Sequence, residues 1–144
     1  MIGTTFEIPG KPFGKQRPRF TRTGRAYTPK ETIAHEEAIR MIAKPKFPKP
    51  ITGPARLTVW ATFKPARSWT KKKTAEHLGR WHTMTPDGDN IVKAVSDALN
   101  GIAYQDDSQV AVMVCHKLWG PVAKTVVTVE PLEMVSVPLV GTIS

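Results

Sequence analysis

Between Arg56 and Lys64 apolar and polar residues alternate without a break. Leu57, Val59, Ala61 and Phe63 fall on one side and Arg56, Thr58, Trp60, Thr62 and Lys64 on the other, which predicts a strand buried on one face. From Asn90 to Leu99 the period changes: Ile91, Val95, Ala98 and Leu99 share one helical face, and Asn100-Gly101 supplies a C-terminal stop. Val110 to Cys115 is apolar throughout, which predicts a central strand covered on both faces. Thr125 to Val129 follows a Gly120-Pro121 turn, so these two strands are expected to form a hairpin. Nearer the N-terminus, Thr5 to Ile8 reads as a short strand closed by Pro9-Gly10. Thr28-Pro29-Lys30-Glu31 reads as a capping box with proline at the first helical position, opening a helix that reaches Ala43. Ser68 to Glu76 looks like the capped start of a short basic helix, and the Lys-Pro and Gly-Pro pairs between Lys44 and Pro54 read as a surface connection. The order predicts an α+β, two-layer domain with a mixed β-sheet and two main helices.

Length and composition bound this picture. A chain of 144 residues, 40% of them hydrophobic, suits one core, so residues 1–144 are expected to form a single domain. No stretch approaches the roughly twenty apolar residues that cross a bilayer, and MIGTTFEIPGKPF lacks the pattern of a signal peptide, so a soluble cytoplasmic protein with no membrane partner is expected. The lone Cys115 lies in an apolar run and reads as a buried core thiol.

Charge changes the picture more. The net charge is +9, but residues 1–80 hold 18 Lys and Arg against 5 Glu, net +13, while residues 81–144 hold 3 Lys against 7 acids, net −4. All five aspartates, Asp87, Asp89, Asp97, Asp106 and Asp107, fall within 21 residues. A surface that only needed solvation would not segregate its charges so. A metal-dependent nuclease would, because its basic part holds phosphates and its acidic part holds divalent cations.

Asp87-Gly88-Asp89-Asn90 precedes the second long helix, Lys93 follows one turn in, and Asp106-Asp107 precede the apolar strand. If helix and strand pack side by side, Asp89 and Asp107 converge and Asp87 completes the set. Such a site suits Mg²⁺, which takes a few carboxylates and keeps several waters. Lys93, at i+4 from Asp89, would project towards a phosphate or the attacking water. Singly, each residue also fits a plainer role: Asp89 as N-cap, Asp89 and Lys93 as a surface pair, Asp106-Asp107 as turn residues. An EF-hand is excluded, since Ile91 stands where its third ligand belongs. Asp97, one turn after Lys93, is expected to pair with a cation.

PDGDNIVKAVSDALNGIAYQDDSQV, residues 86–110, resembles the signature of RusA-type Holliday junction resolvases, small endonucleases of bacteria and their phages. GKPFGKQRPRF and RAYTP near the N-terminus resemble that family's opening, so the resemblance covers most of the chain. It implies a RusA-like fold and phage or prophage origin. It also implies Mg²⁺ as cofactor with Mn²⁺ able to substitute, and paired cuts in four-way DNA junctions during recombination and repair. Asp87, Asp89 and Asp107 would be the metal-binding carboxylates, Lys93 the catalytic lysine, and Asp106 a neighbour without an assigned role. A four-way junction is close to two-fold symmetric, so one site per chain calls for a C2 homodimer.

Lys11, Lys15, Arg17, Arg19, Arg22 and Arg25 stand without an acid between them; Lys15, Arg17 and Arg19 are the expected phosphate contacts, with Lys71, Lys72 and Lys73 as a second set. Phe13, Phe20 or Tyr27 would pack near bases at an opened branch point, while Trp60, Trp81 and Trp119 are expected to be packing residues. The four histidines show no metal-ligand spacing, and only His82 is near Asp87 in sequence. Other readings are a nuclease acting on flaps, forks or RNA, and a non-catalytic DNA-binding accessory protein. The accessory reading fits poorly, because carboxylates placed near a phosphate backbone repel it unless a cation intervenes.

Overall fold

The structure, a computed structural model, describes residues 3–134. Its main sheet is built from β1 (Thr4–Pro9), β4 (Ala55–Phe63), β5 (Val110–Trp119) and β6 (Lys124–Pro131), in the spatial order β1-β6-β4-β5. β6 runs antiparallel to both β1 and β4, and β5 runs parallel to β4, so the sheet is mixed. Two short strands, β2 (Arg19–Phe20) and β3 (Ala26–Tyr27), form a small hairpin within the basic segment. The helices are α1 (Lys30–Ala43), α2 (Lys71–His77) and α3 (Gly88–Ala98). None is long and apolar enough to cross a membrane.

Alternation decides which sheet face is covered. Leu57, Val59, Ala61 and Phe63 of β4 are buried, as are Phe6 and Ile8 of β1 and Val127 and Val129 of β6. They form one core with Ile39 and Ala43 of α1 and Ile91, Val95 and Ala98 of α3. Two layers result, helices on one face of the sheet, as the periodicities predict. α3 ends where Arg40 of α1 donates from one guanidinium nitrogen to the carbonyls of Ala98 (2.9 Å) and Asn100 (3.0 Å), a cation closing a helix C-terminus.

Three expectations need correction. β5 is an edge strand, not a central one, and Met113 on it is 52% exposed. Nor do β5 and β6 form a hairpin, because β4 lies between them. The connection from Gly120 to Ala123 steps over the end of β4, where the Gly120 amide donates to the Phe63 carbonyl at 2.9 Å. A Cβ on Gly120 would sit 2.5 Å from Thr62 Cγ2, so the step needs glycine. Two strand spacings are about 9.6 Å and four extended residues reach about 13 Å, so a turn of hairpin length also clears one strand. The Thr28 capping box does not form: Pro29 stays extended (φ −56°, ψ 145°) and becomes the N-cap, which puts Thr28 one residue too early. Trp60 and Trp81 pack at the surface; 40% and 65% exposed, they flank His116, and the Trp60 and His116 rings stack at 3.7 Å.

If β4 is the centre and β5 the edge, truncation should be costly in one and mild in the other. Leu57→Ala is expected to cost about 2–5 kcal/mol in urea unfolding, and Met113→Ala less than about 1 kcal/mol.

Candidate active site

The sequence from Asp87 to Asp97 supplies a helix with two unlike sides. Ile91, Val92, Ala94, Val95 and Ala98 are buried in or against the core. Asp89, Lys93 and Asp97 recur at i, i+4 and i+8 and therefore form a stripe along the other side. Asp87, rather than Asp89, is the N-cap; its carbonyl accepts the Ile91 amide at 3.2 Å, while its side chain makes no capping bond and stays exposed. Asp89 lies in the first turn, where the helix N-terminus favours negative charge.

Opposite this stripe, the turn Asp107–Gln109 leads into β5. Asp106 caps it, accepting from the Ser108 amide at 3.1 Å, and the Ser108 side chain first, with that amide, holds its carboxyl below the usual range. Gln109 fixes the turn to the rest of the molecule. Its Nε2 donates to the carbonyls of Ile51 (2.7 Å) and Gly53 (2.9 Å), and its Oε1 accepts the amides of Gln105 (2.9 Å) and Asp106 (3.2 Å). Asp107 is thereby presented to α3. An open cavity of about 590 Å³ is lined by Asp89, Lys93 and Asp107, with Val92, Met113 and Cys115 as its apolar floor. Helix and strand thus converge as expected, with Asp87 at the rim of the helix and outside the cavity lining.

The electrostatics are those of crowded carboxylates. Asp107 is raised above the usual range, first by burial and then by a hydrogen bond with Asp97 and the charges of Asp106 and Asp97. Burial also works against the ionised Asp97, but the hydrogen bond and charge of Lys15, with Lys93 nearby, prevail and hold it low. Asp97 is thus the ionised partner and Asp107 holds on to its proton more firmly. Lys93 stands 3.7 Å from Asp97 with most of its side chain in solvent. Burial pushes the Cys115 thiol up, which keeps it protonated and inert as a nucleophile; it is half-buried rather than a core residue.

The basic segment runs directly over this site. The Lys15 amide donates to the Asn90 carbonyl at 3.0 Å, and a Cβ on Gly14 would fall 2.6 Å from Pro86 Cβ. The Lys15 ammonium turns inward to Asp97 and to Glu36, 3.2 Å away, so its charge is engaged within the protein rather than offered at the surface. Arg17 and Arg19 are exposed, as are Lys71, Lys72 and Lys73 on α2, where Lys73 lies 4.3 Å over the Trp69 ring. Phe13 tucks against His35 of α1 at 4.5 Å, leaving Phe20 and Tyr27 exposed on the small hairpin. His82 is buried against Phe63, away from the Asp89 cavity.

Among the described residues no three histidine, cysteine or carboxylate side chains close on one point as a metal cage would. The donor chemistry nevertheless suits a hard divalent cation. Asp89 and Asp107 share one cavity, and the burial and neighbouring carboxylates that raise Asp107 are what a bound cation would offset. Gln109 could have been found from the Asp106-to-Gln109 spacing, which forms a capping box, whereas Lys15 and Arg40 carry no such signal, because their partners lie 21 or more residues away.

Comparison with known proteins gives two findings. Residues 9–130 match the family model described as Endodeoxyribonuclease RusA. The chain is also 33% identical over 123 residues to "Uncharacterized protein YqaN" of Bacillus subtilis (strain 168), covering 79% of this chain and 86% of that protein.

Because Gln109 holds the Asp107 turn through four hydrogen bonds, Gln109→Ala is expected to lower stability by about 2 kcal/mol in urea unfolding. An unchanged unfolding midpoint would show that the turn is held by other contacts.

Proposed function

Because this chain belongs to the RusA endodeoxyribonuclease family, we propose that it is a Mg²⁺-dependent endonuclease that resolves four-way DNA junctions by paired phosphodiester hydrolysis, acting as a homodimer in recombination and repair. The observation that carries this reading is the shared cavity of Asp89, Lys93 and Asp107, with the basic segment passing over its end. Asp89 and Asp107, joined by Asp87 from the rim, would hold Mg²⁺, with Mn²⁺ able to substitute. A bound divalent ion acidifies an attacking water and offsets charge at the scissile phosphate.

The chain's own groups then have defined tasks. Lys93, 3.7 Å from Asp97 but mostly solvent-exposed at the cavity, would engage a phosphate oxygen. Asp97 is a positioning residue: it draws Lys15 and Lys93 towards the carboxylates and neighbours Asp107. Arg17 and Arg19 extend the positive surface along the incoming backbone, and Lys71, Lys72 and Lys73 offer a second contact. Two copies related by a two-fold axis would place one such site on each of two opposed strands of a junction.

The test is cleavage of a labelled four-way junction beside matched duplex, flap and single-stranded DNA, with Mg²⁺ and with EDTA. Paired nicks in the junction alone, absent with EDTA, are expected. Asp89→Asn should cut at least about a hundredfold more slowly, more than loss of an outer-sphere partner costs, yet bind the junction as well as or better than the unaltered chain. Tight binding without cutting under any divalent metal would overturn the reading and leave a DNA-binding accessory protein. Preferential cutting of flaps would move the substrate to other branched DNA.

Charge reversal of Arg17 and Arg19 tests the phosphate track separately. Junction affinity should fall, and the slope of log K against log salt should flatten by about 1.8 if each arginine meets one phosphate. An unchanged slope would remove this segment from the DNA path.

A further inference from the structure

A second cavity, of about 440 Å³, lies apart from the carboxylates. Its walls are the rings of Phe63, Trp69, His82 and Trp119, and Lys11 and Lys64 stand at it, both exposed. The rings already pack on one another: His82 lies on Phe63 at 3.7 Å with 13° between planes, and Trp69 meets Trp119 at 4.9 Å, tilted by 51°. His82 is only 6% exposed, and its Nδ1 is buried without a hydrogen-bond partner. A buried ring nitrogen left unpaired costs free energy that a ligand's polar edge would recover. Among the described residues no acidic side chain lines the cavity, and burial, with the charges of Lys117 and Lys11, holds His82 below the usual imidazole range. Neutral imidazole offers both a donor and an acceptor.

Flat aromatic walls, one unsatisfied polar atom and a cationic rim together suit a planar, hydrogen-bonding, anionic ligand. A nucleotide has that chemistry; an apolar peptide would use the rings but neither the lysines nor the imidazole. The cavity is also connected to the candidate active site. Lys11 and Thr85 line it and line the adjoining groove formed by Pro12, Phe13, Gly14 and Pro86. That groove ends where Asp87 opens α3. Chain residues 82–86 therefore run from the aromatic cavity to the carboxylates.

We propose that this cavity receives one unpaired nucleobase of the DNA substrate, stacked on Trp69 beside the buried Phe63, His82 and Trp119 rings, with its phosphate at Lys11 and Lys64. The proposal rests on the reading of the chain as a nuclease of branched DNA. Such DNA has at its branch point the bases that are cheapest to unstack, and a base drawn into the cavity would set which phosphate reaches Asp89 and Asp107. Selectivity would then arise from capture of a splayed base rather than from reading base-pair edges.

The full chain, in EDTA, is titrated into a single-stranded oligodeoxynucleotide and a four-way junction, each carrying 2-aminopurine at one position, and into a duplex carrying the same base paired. Several-fold quenching at saturation is expected with the single strand and with the junction labelled at its branch point, and none with the duplex. Trp69→Ala should weaken single-strand binding about tenfold and lose most of the quenching. Lys11→Glu/Lys64→Glu, at exposed positions that spare the core, should lose the quenching as well. Arg17→Glu/Arg19→Glu should weaken binding while the quenching at saturation stays. DNA bound at saturation with the probe as bright as when free would overturn the proposal, as would quenching undiminished in both cavity variants. Junction cutting with Mg²⁺ is followed in parallel. Cutting without quenching sinks the cavity alone, whereas quenching without cutting of any DNA sinks the nuclease reading and leaves a base-binding cavity.

Discussion

Two neighbouring carboxyl groups cannot both ionise cheaply, and the approach of Asp97 to Asp107 obliges the chain to bring compensation from a distance. Lys93 supplies part of it from one turn away on α3. The larger part comes from Lys15, 82 residues earlier, which bonds Asp97 and Glu36 together and so ties the N-terminal segment to both α1 and α3. That tie is why a segment composed of glycine, proline and cations keeps a defined course past the carboxylates. The same demand that makes the acidic cluster costly in the absence of a cation also places the basic track beside it.

Much of the fold was legible because single elements carry their own period. β4 alternates and is buried on the face its alternation names; α3 repeats at helical spacing and buries that stripe. The order of strands was not legible, since nothing in the composition of Val110 to Cys115 distinguishes a strand buried on both faces from an edge strand that rests one face on a helix. β5 is the second kind, and its half-buried apolar residues read as more interior than they are. The missed capping box turned on one residue: proline fixes its own φ but not its ψ, and an extended ψ at Pro29 moved the helix start past Thr28.

The candidate site was legible to the extent that its parts are close in sequence. Asp89 and Lys93 fall on one helix face by spacing alone, and Asp107 reaches the same cavity because helix and strand are consecutive. What sequence could not supply were partnerships of low chemical identity at long range. Gln109 works through backbone carbonyls that any residue possesses, and Lys15 looks like its neighbours Arg17 and Arg19 until the packing turns it inward. Trp60 and Trp81 do pack, against His116, but at an exposed surface, with Trp60 on the polar side that its alternation names.

β1 finds its hydrogen-bonding partner in β6, with Thr4 opposite Val129, and β6 is also what seals β4 on that side. During synthesis the carboxylates on α3 and the Asp107 turn leave the ribosome before the strand that completes the sheet beneath them. Pairings between segments far apart in sequence close late and slowly. A polypeptide that stops short of β6 therefore carries the acidic cluster without the strand that joins β1 to β4 beneath it.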